Sequence, residues 1–417
     1  MRRRVRTGQF VVAEVTAVAV IGSAFAPWWV FLGVAILGTA VLVATFGRAG
    51  GRWWYEAVAL SSRFRRRRRL AAAQVVTATV DAGTVPVPVA WLRTLAPEFS
   101  LRSVTVGVHP VAVATDADGW FAVAEVGSLW DDDLVPVSGA AGDGWAPGVA
   151  AYPGLAQPQP MPPAGAALDA RPVPYREFAA LLDQVSSVQV VLVPGTSPGQ
   201  PRPAWVTVRM TPADALATEH NGGVSAVERT VAAAVAKAVR TLDAAGWPAR
   251  PVTPDGLVPT LVEATGLDGP PQEHWSWWRA GRTVRTHYAV TGWRPDHGTL
   301  AGGVSHLSVR FDRGVGGRPA SERAAGRGAS GRTPGPGGDP SGGTGEDVLA
   351  SAAEDGFVAG ATVIAAVTAP PAALRRTCDQ VVAVAKARSV RLARLDGEQA
   401  PAVWATSPTA APFAVRH

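Results

Sequence analysis

Residues 10–46 read FVVAEVTAVAVIGSAFAPWWVFLGVAILGTAVLVATF: two apolar runs, Phe10 to Ala26 and Val30 to Phe46, interrupted at Pro27-Trp28-Trp29. A helix needs about 17–25 apolar residues to cross a bilayer, at about 1.5 Å each. Each run just reaches that length, so the stretch predicts two membrane helices, about 10–26 and 28–46. Basic residues bracket the pair. Arg2, Arg3, Arg4 and Arg6 precede it, and Arg48, Arg52, Arg63, Arg65, Arg66, Arg67, Arg68 and Arg69 follow. Lys and Arg are retained on the cytoplasmic side. Both ends are therefore expected inside, with an external turn at Ala26-Pro27-Trp28 and everything after Phe46 facing the cytoplasm. The expectation is a multi-pass protein of the inner (plasma) membrane.

A cleaved signal peptide is the competing reading, since Ser23-Ala24-Phe25-Ala26 offers a small-x-small site. The second apolar run and the larger basic block beyond it argue against cleavage. Trp28 and Trp29 suit the outer interface, and Trp53, Trp54 and Tyr55 the inner one. Glu14 sits one turn into the first helix. It either snorkels to the headgroups or contacts a partner helix, because intramembrane carboxylates rarely face lipid.

The chain has 417 residues and a formal net charge of +6. Most of the excess sits beside the apolar runs, where it reads as attraction to anionic lipid rather than to nucleic acid. A single cysteine, Cys378, excludes an intrachain disulfide and a cysteine-cluster zinc site.

The anchor with its basic flanks is expected over residues 1–74, and a β-rich segment over 75–134. Gln74 to Val80 and the Val85-Val87-Val89 alternation read as strand or extended chain. Ser103 to His109 and Trp120 to Val126 read as a hairpin turning at Asp116 to Gly119. Residues 135–174 are rich in Pro, Gly and Ala and read as a linker or surface loop. An α/β domain is expected over 175–312. It opens with a helical pattern at Phe178, Leu181, Leu182 and Val185, followed by a buried strand at Val188 to Val193 paired with Trp205 to Met210. A long helix, Val224 to Ala245, is striped by Val227, Val231, Val235, Val239 and Leu242 and stopped by Gly246. Another helix starts after Thr253-Pro254, and strands are expected at Arg282 to Trp293 and Val304 to Phe311. Residues 313–348 lack large apolar side chains and read as a disordered insertion. The domain resumes over 349–417 with a strand at Phe357 to Thr368, a helix to Ala387 and a strand at Val390 to Leu395. The fold class is thus a membrane-anchored α/β protein: an N-terminal two-helix hairpin, then a cytoplasmic mixed-sheet domain carrying the insertion.

These pieces resemble the EccE family, a membrane component of the actinobacterial type VII secretion system. The resemblance lies in the basic N-terminus and hairpin, Gly51-Arg-Trp-Trp-Tyr-Glu56 and its arginine block, and Val106-Gly-Val with Asp118-Gly-Trp-Phe121. It continues through Val188 to Val193, Glu273-His-Trp-Ser-Trp-Trp278 with His287-Tyr-Ala-Val290, and Leu395-Asp-Gly-Glu-Gln399 with Ala405-Thr-Ser-Pro408. It implies a non-enzymatic subunit, without cofactor, beside EccB, EccC and EccD, of which EccC is the ATPase.

The residues themselves carry little catalytic signal. Pro194-Gly-Thr-Ser-Pro-Gly199 lacks the lysine of a phosphate loop, and no His-x-x-x-His pair is present. Asp131-Asp132-Asp133 either forms a solvated acidic turn or holds a divalent metal carrying a sugar nucleotide. The second reading would make the chain a membrane-tethered glycosyltransferase-like enzyme of the cell envelope. Trp275, Trp277 and Trp278 read either as an exposed anchor for a partner or, at alternating spacing, as partly core-facing. Asp396 and Glu398 belong to a turn that either docks a partner or fixes the last strand against the core.

Overall fold

The computed structural model describes residues 7–49, 52–80, 86–127, 173–194, 201–219, 223–294, 303–313 and 361–413. Arg2, Arg3, Arg4 and Arg6, the Asp131 to Asp133 cluster, nearly all of the Pro/Gly-rich stretch and nearly all of the expected insertion lie outside them. The chain divides into two compact units, Met1–Thr79 and Val80–His417.

The first unit contains α1 (Thr7–Ser23), α2 (Trp28–Phe46), a short ladder of β1 (Arg48–Ala49) with β2 (Arg52–Trp53), and α3 (Trp54–Val80). Among the described residues, α2 is the one helix long and apolar enough to cross a membrane. The first apolar run stops earlier than expected. The Ser23 hydroxyl donates to Val20 O at 2.7 Å, and the chain turns through residues 24–27. The continuous apolar part of α1, Phe10–Ser23, is therefore shorter than a span. The two helices pack at Gly38, where a Cβ would lie 2.9 Å from Thr16 Cγ2 and 3.2 Å from Val20 Cγ2. A small residue at this crossing lets the backbones approach. The strand expected at Gln74 to Val80 is the end of α3. Leu70 to Gln74 is a run of strong helix formers that continues the helix begun at Trp54.

In the second unit α4 (Val87–Leu95) precedes a three-strand meander: β3 (Ser100–Val106), β4 (His109–Asp116) and β5 (Gly119–Val126). Two expectations change here. From Val87 onward the Val-Pro alternation is a helix, because Pro88 falls in the first turn, where a missing N–H costs nothing, and Leu92 then points into the core; Val85 lies outside the described residues. The stretch Ser103 to His109 is not one strand. Gly107, at φ +64°, turns the chain between β3 and β4, so the expected hairpin is a pair of consecutive hairpins.

After α5 (Tyr175–Ala179) come β6 (Ser187–Pro194), β7 (Pro201–Met210), α6 (Pro212–Glu219) and α7 (Val224–Ala244). Next are β8 (Ala249–Pro251), α8 (Pro254–Thr265), β9 (Pro271–Glu273), β10 (Trp278–Ala280), β11 (Thr283–Thr291) and β12 (Val304–Asp312). The chain closes with β13 (Thr362–Ala369), α9 (Leu374–Ala387), β14 (Arg391–Arg394) and α10 (Gln399–Thr406). α5 is shorter than its apolar pattern, but Phe178, Leu181 and Val185 all reach the core. β6 is buried on both faces, as its unbroken apolar run requires.

The strands form one twelve-stranded sheet. Its main path runs β3-β4-β5-β7-β6-β12-β13-β11-β10-β9, with β8 pairing β5 and β14 pairing β11. A mixed sheet was expected, yet every strand pairing among the described residues is antiparallel. The physical reason is β7, which lies between the parallel strands β5 and β6 and separates them.

The sheet has an internal two-fold relation that pairs β4 with β10, β5 with β11, β6 with β12, β7 with β13, α7 with α9, β8 with β14 and α8 with α10. The registers obey it except at the bulges, which fall between Val191 and Leu192 in one half and between Val304 and His306 in the other. Ala124 lies between Val206 and Pro251, and its counterpart Tyr288 lies between Ala365 and Arg394. Val252 N donates to Val123 O at 2.8 Å, and Leu395 N to His287 O at 2.9 Å. The axis runs through the central pair Val191–Ser308, flanked by Val190–Val309 and Leu192–Leu307. α7 and α9 pack on one face in a core with Val188, Val190 and Val309. α8 and α10 pack on the other, with α4 and Val191.

The helix ends correspond as well. Trp247 N donates to Leu242 O and Val390 N to Ala385 O, beneath left-handed residues Gly246 (φ +81°) and Ser389 (φ +61°). A serine is strained there where glycine is not. Ser389→Gly is expected to stabilise this unit by about 0.5–1 kcal/mol, and Gly246→Ala to destabilise it by about 1 kcal/mol. Thermal melting of the two variants checks the signs.

Candidate functional site

Two segments far apart in sequence meet on the α10 face. The β9–β10 connection carries Trp275, Trp277 and Trp278, and the β14–α10 turn carries Asp396, Gly397 and Glu398. Gly397, at φ +75°, donates its N–H to Trp275 O at 2.6 Å. Ala400 N donates to Glu273 Oε1 at 3.1 Å, and Thr286 Oγ1 to Ser276 O at 3.2 Å. Trp278 is a core residue at 3 % exposure, whereas Trp275 is 40 % exposed. Trp277 is half-buried, with its ring stacked on His274 at 3.5 Å. The two readings of the tryptophans thus divide by residue. Asp396 is half-buried and pairs with Arg394 at 2.7 Å. Glu398, also half-buried, caps α10 through its carbonyl, which accepts the Ala402 N–H at 3.0 Å.

Beneath this surface lies His287, fully buried in β11. Gln399 Nε2 donates to Leu395 O at 2.9 Å, which leaves Gln399 Oε1 as an acceptor. That oxygen takes the His287 backbone N–H at 3.0 Å and faces His287 Nδ1 at 3.1 Å. His287 therefore carries its proton on Nδ1, and Nε2 has no partner among the described residues. Burial pushes the imidazole down to about 3, against the pull of the Gln399 hydrogen bond and with a further push from Arg285. A neutral ring sealed from solvent does not exchange protons with a substrate near neutral pH. Its neighbour Arg285 caps the end of α8, with Nη1 donating to Ala264 O, and burial pushes its guanidinium down to about 10.

A proton taken up by unfolded but not by folded His287 couples stability to pH. The folded value lies below the unfolded 6.5, so the contribution is complete above pH 6.5 and is lost progressively toward pH 3. Between pH 6.5 and 5 stability is expected to fall by about 2 kcal/mol. His287→Leu should remove that part of the slope in melts taken across pH.

A second buried network holds α10 and the following tail over the sheet centre. Arg209 in β7 grips Asp116 in β4 through two bonds, Nη1–Oδ1 at 2.6 Å and Nη2–Oδ2 at 2.7 Å, and donates Nε to Thr409 O at 2.7 Å. Its guanidinium lies 4.8 Å from the Phe121 ring centre. Asp116 also accepts the Trp404 indole N–H at 3.0 Å. Gln189 donates to Ser308 Oγ and Ala405 O and accepts the Ala410 N–H, while Arg310 donates to Ala411 O. Sequence reading missed these residues, taking Asp116 only as part of a turn. A charged residue inside Trp205-Val-Thr-Val-Arg-Met210 was the available signal.

In the first unit Trp28 and Trp29 are exposed at the start of α2, as are Trp54 and Tyr55 at the start of α3. Trp53 sits in β2. Glu14 is exposed on α1. Arg65, Arg66, Arg68 and Arg69 are exposed along α3, and Arg67 is half-buried. Among the described residues no three His, Cys, Asp or Glu side chains gather as metal ligands.

Residues 200–290, from β7 into β11, match the family model described as "Putative type VII ESX secretion system translocon, EccE". The matched segment includes α7, α8, the tryptophan-bearing connection and His287. No curated protein matches the chain.

Proposed function

We propose that this chain, assigned to the EccE family by that match, is a non-catalytic subunit of the type VII secretion membrane complex that supports assembly or stability of the translocon. The match over residues 200–290 carries the proposal. The sealed, neutral His287 and the packing role of the Asp396–Gln399 turn favour a structural subunit over an enzyme. Asp131 to Asp133, on which a sugar-nucleotide reading would rest, lie outside the described residues.

In this reading α1 and α2 both insert as a hairpin, and Val80–His417 is cytoplasmic. Support comes from the exposed apolar side chains of both helices, among them Phe10, Val15, Ile21, Ile36 and Leu37. Charge agrees. Residues 1–80 hold twelve arginines against Glu14 and Glu56, while the whole chain totals +6, so the remainder is net acidic. Glu14 then faces a neighbouring membrane helix. Trp275, Asp396 and Glu398 offer a surface to other translocon subunits, with EccB, EccC and EccD as the expected neighbours.

Deleting the gene should stop export of type VII substrates. Export should return with the wild-type chain and equally with the combined Asp131→Ala, Asp133→Ala variant. Unimpaired export after deletion, or failure of that variant at normal abundance, would contradict the proposal. Topology is read separately in a Cys378→Ser background. A cysteine at Ser62 should resist an impermeant thiol reagent in intact cells and react after lysis. Labelling in intact cells would overturn the assignment of both termini to the cytoplasm.

A further inference from the structure

α3 begins where α2 ends. Gly47 N donates to Val43 O at 2.7 Å in the last turn of α2, and Gly47 O accepts the Trp54 N–H at 2.8 Å. The β1–β2 ladder closes the intervening loop by pairing Arg48 with Trp53 and Ala49 with Arg52. The first turn of α3 is thus fixed at the end of the helix proposed to span the membrane, and the role of α3 rests on that placement.

The surface of α3 combines two kinds of side chain that aqueous surfaces seldom place together. Trp54, Tyr55, Val58 and Leu70 are exposed large apolar groups, with Trp54 at 50 % and Leu70 at 54 %. Arg63, Arg65, Arg66, Arg68 and Arg69 are exposed among them, while Leu60 and Phe64 are buried. Arg68 lies over the Phe64 ring at 5.7 Å. Aromatic rings settle at headgroup depth. Arginine stems lie along apolar surface while the guanidinium heads reach phosphate. Each arginine near an anionic leaflet strengthens binding about fivefold.

We propose that α3 is a lipid-binding element that takes anionic phospholipid headgroups of the leaflet at the C-terminal end of α2. A nucleic-acid duplex would satisfy the arginines but leave Trp54, Tyr55, Val58 and Leu70 uncovered. An anionic bilayer surface satisfies both sets.

The test uses the full chain carrying Cys378→Ser and Ser62→Cys, in nanodiscs of phosphatidylcholine alone or of equal parts phosphatidylcholine and phosphatidylglycerol. Alkylation of the cysteine by a soluble thiol reagent is expected to slow several-fold in the anionic discs. High salt should restore the rate, and Arg63, Arg65, Arg66 and Arg69 all changed to Gln should abolish the difference. A control cysteine at Val108, 85 % exposed, should react alike in both lipids. Equal rates at Ser62 in the two lipids, with the protein still resisting alkaline carbonate extraction, would overturn the proposal alone. Protection by added DNA in neutral discs, in place of protection by anionic lipid, would also overturn it. Extraction by carbonate would overturn the membrane placement itself, and the proposal with it.

Discussion

Arg209→Ala is expected to cost the Val80–His417 unit about 3–5 kcal/mol, the most severe loss that removing one charged side chain should cause in this unit. The guanidinium is wholly buried, pairs with both oxygens of a buried carboxylate and donates a third bond to Thr409 O. Its removal leaves Asp116 charged inside the protein, with only the Trp404 indole and the Asp118 N–H as donors. Asp116→Ala should be about as severe, since it strands a guanidinium. A loss below about 1 kcal/mol in thermal or denaturant melts would mean that water reaches the pair and that the network is not the clamp described.

Trp404→Ala is expected to cost about 3–5 kcal/mol, for a different reason. The indole fills the space between α10 and the sheet, edge-on to Phe99 and Phe121 at 6.3 Å, and donates to Asp116. Its loss opens a cavity and removes a donor from the same carboxylate. It should also loosen the segment from Ser407 to Ala411, which is fastened only a few residues beyond. Faster hydrogen exchange at Ala410 and Ala411, whose amides bond Gln189 Oε1 and Thr409 Oγ1, would report that loosening. Because both variants act on Asp116, their combination should cost less than the sum of the two. Full additivity would separate the tryptophan from the ion pair.

Much of the architecture was legible because apolar period decides it. The apolar run of α2, the unbroken β6 and the Val227-Val231-Val235-Leu242 stripe of α7 each stood out in the sequence. What escaped was decided by single residues or by long range. Gly107 divides one apparent strand into two because a left-handed residue there fits a turn. Pro88 begins a helix that alternation disguised as a strand. The Arg209–Asp116 pair spans 93 positions, and no local pattern signals it.

The internal two-fold relation is carried by register rather than by identity. Across the equivalent stretches Phe121–Val126 and Arg285–Val290 only the final valines agree. Where the first half places Phe121 and Val123, the second places Arg285 and His287, both buried. A sheet position fixes which face a side chain meets, not which side chain meets it. The surface joining the tryptophan connection to the Asp396 turn was half legible. Both segments stood out in the sequence, but the Gly397–Trp275 and Ala400–Glu273 hydrogen bonds that join them cross more than a hundred residues.

The central claim, that this chain is a subunit of a type VII secretion membrane complex, is tested most directly by what it carries out of the membrane. The tagged full-length protein is solubilised from cells in mild detergent and its partners are identified by mass. Recovery of type VII membrane subunits in one particle of constant composition is the predicted result. Recovery of the chain alone, with those subunits present in the same extract, would contradict the account.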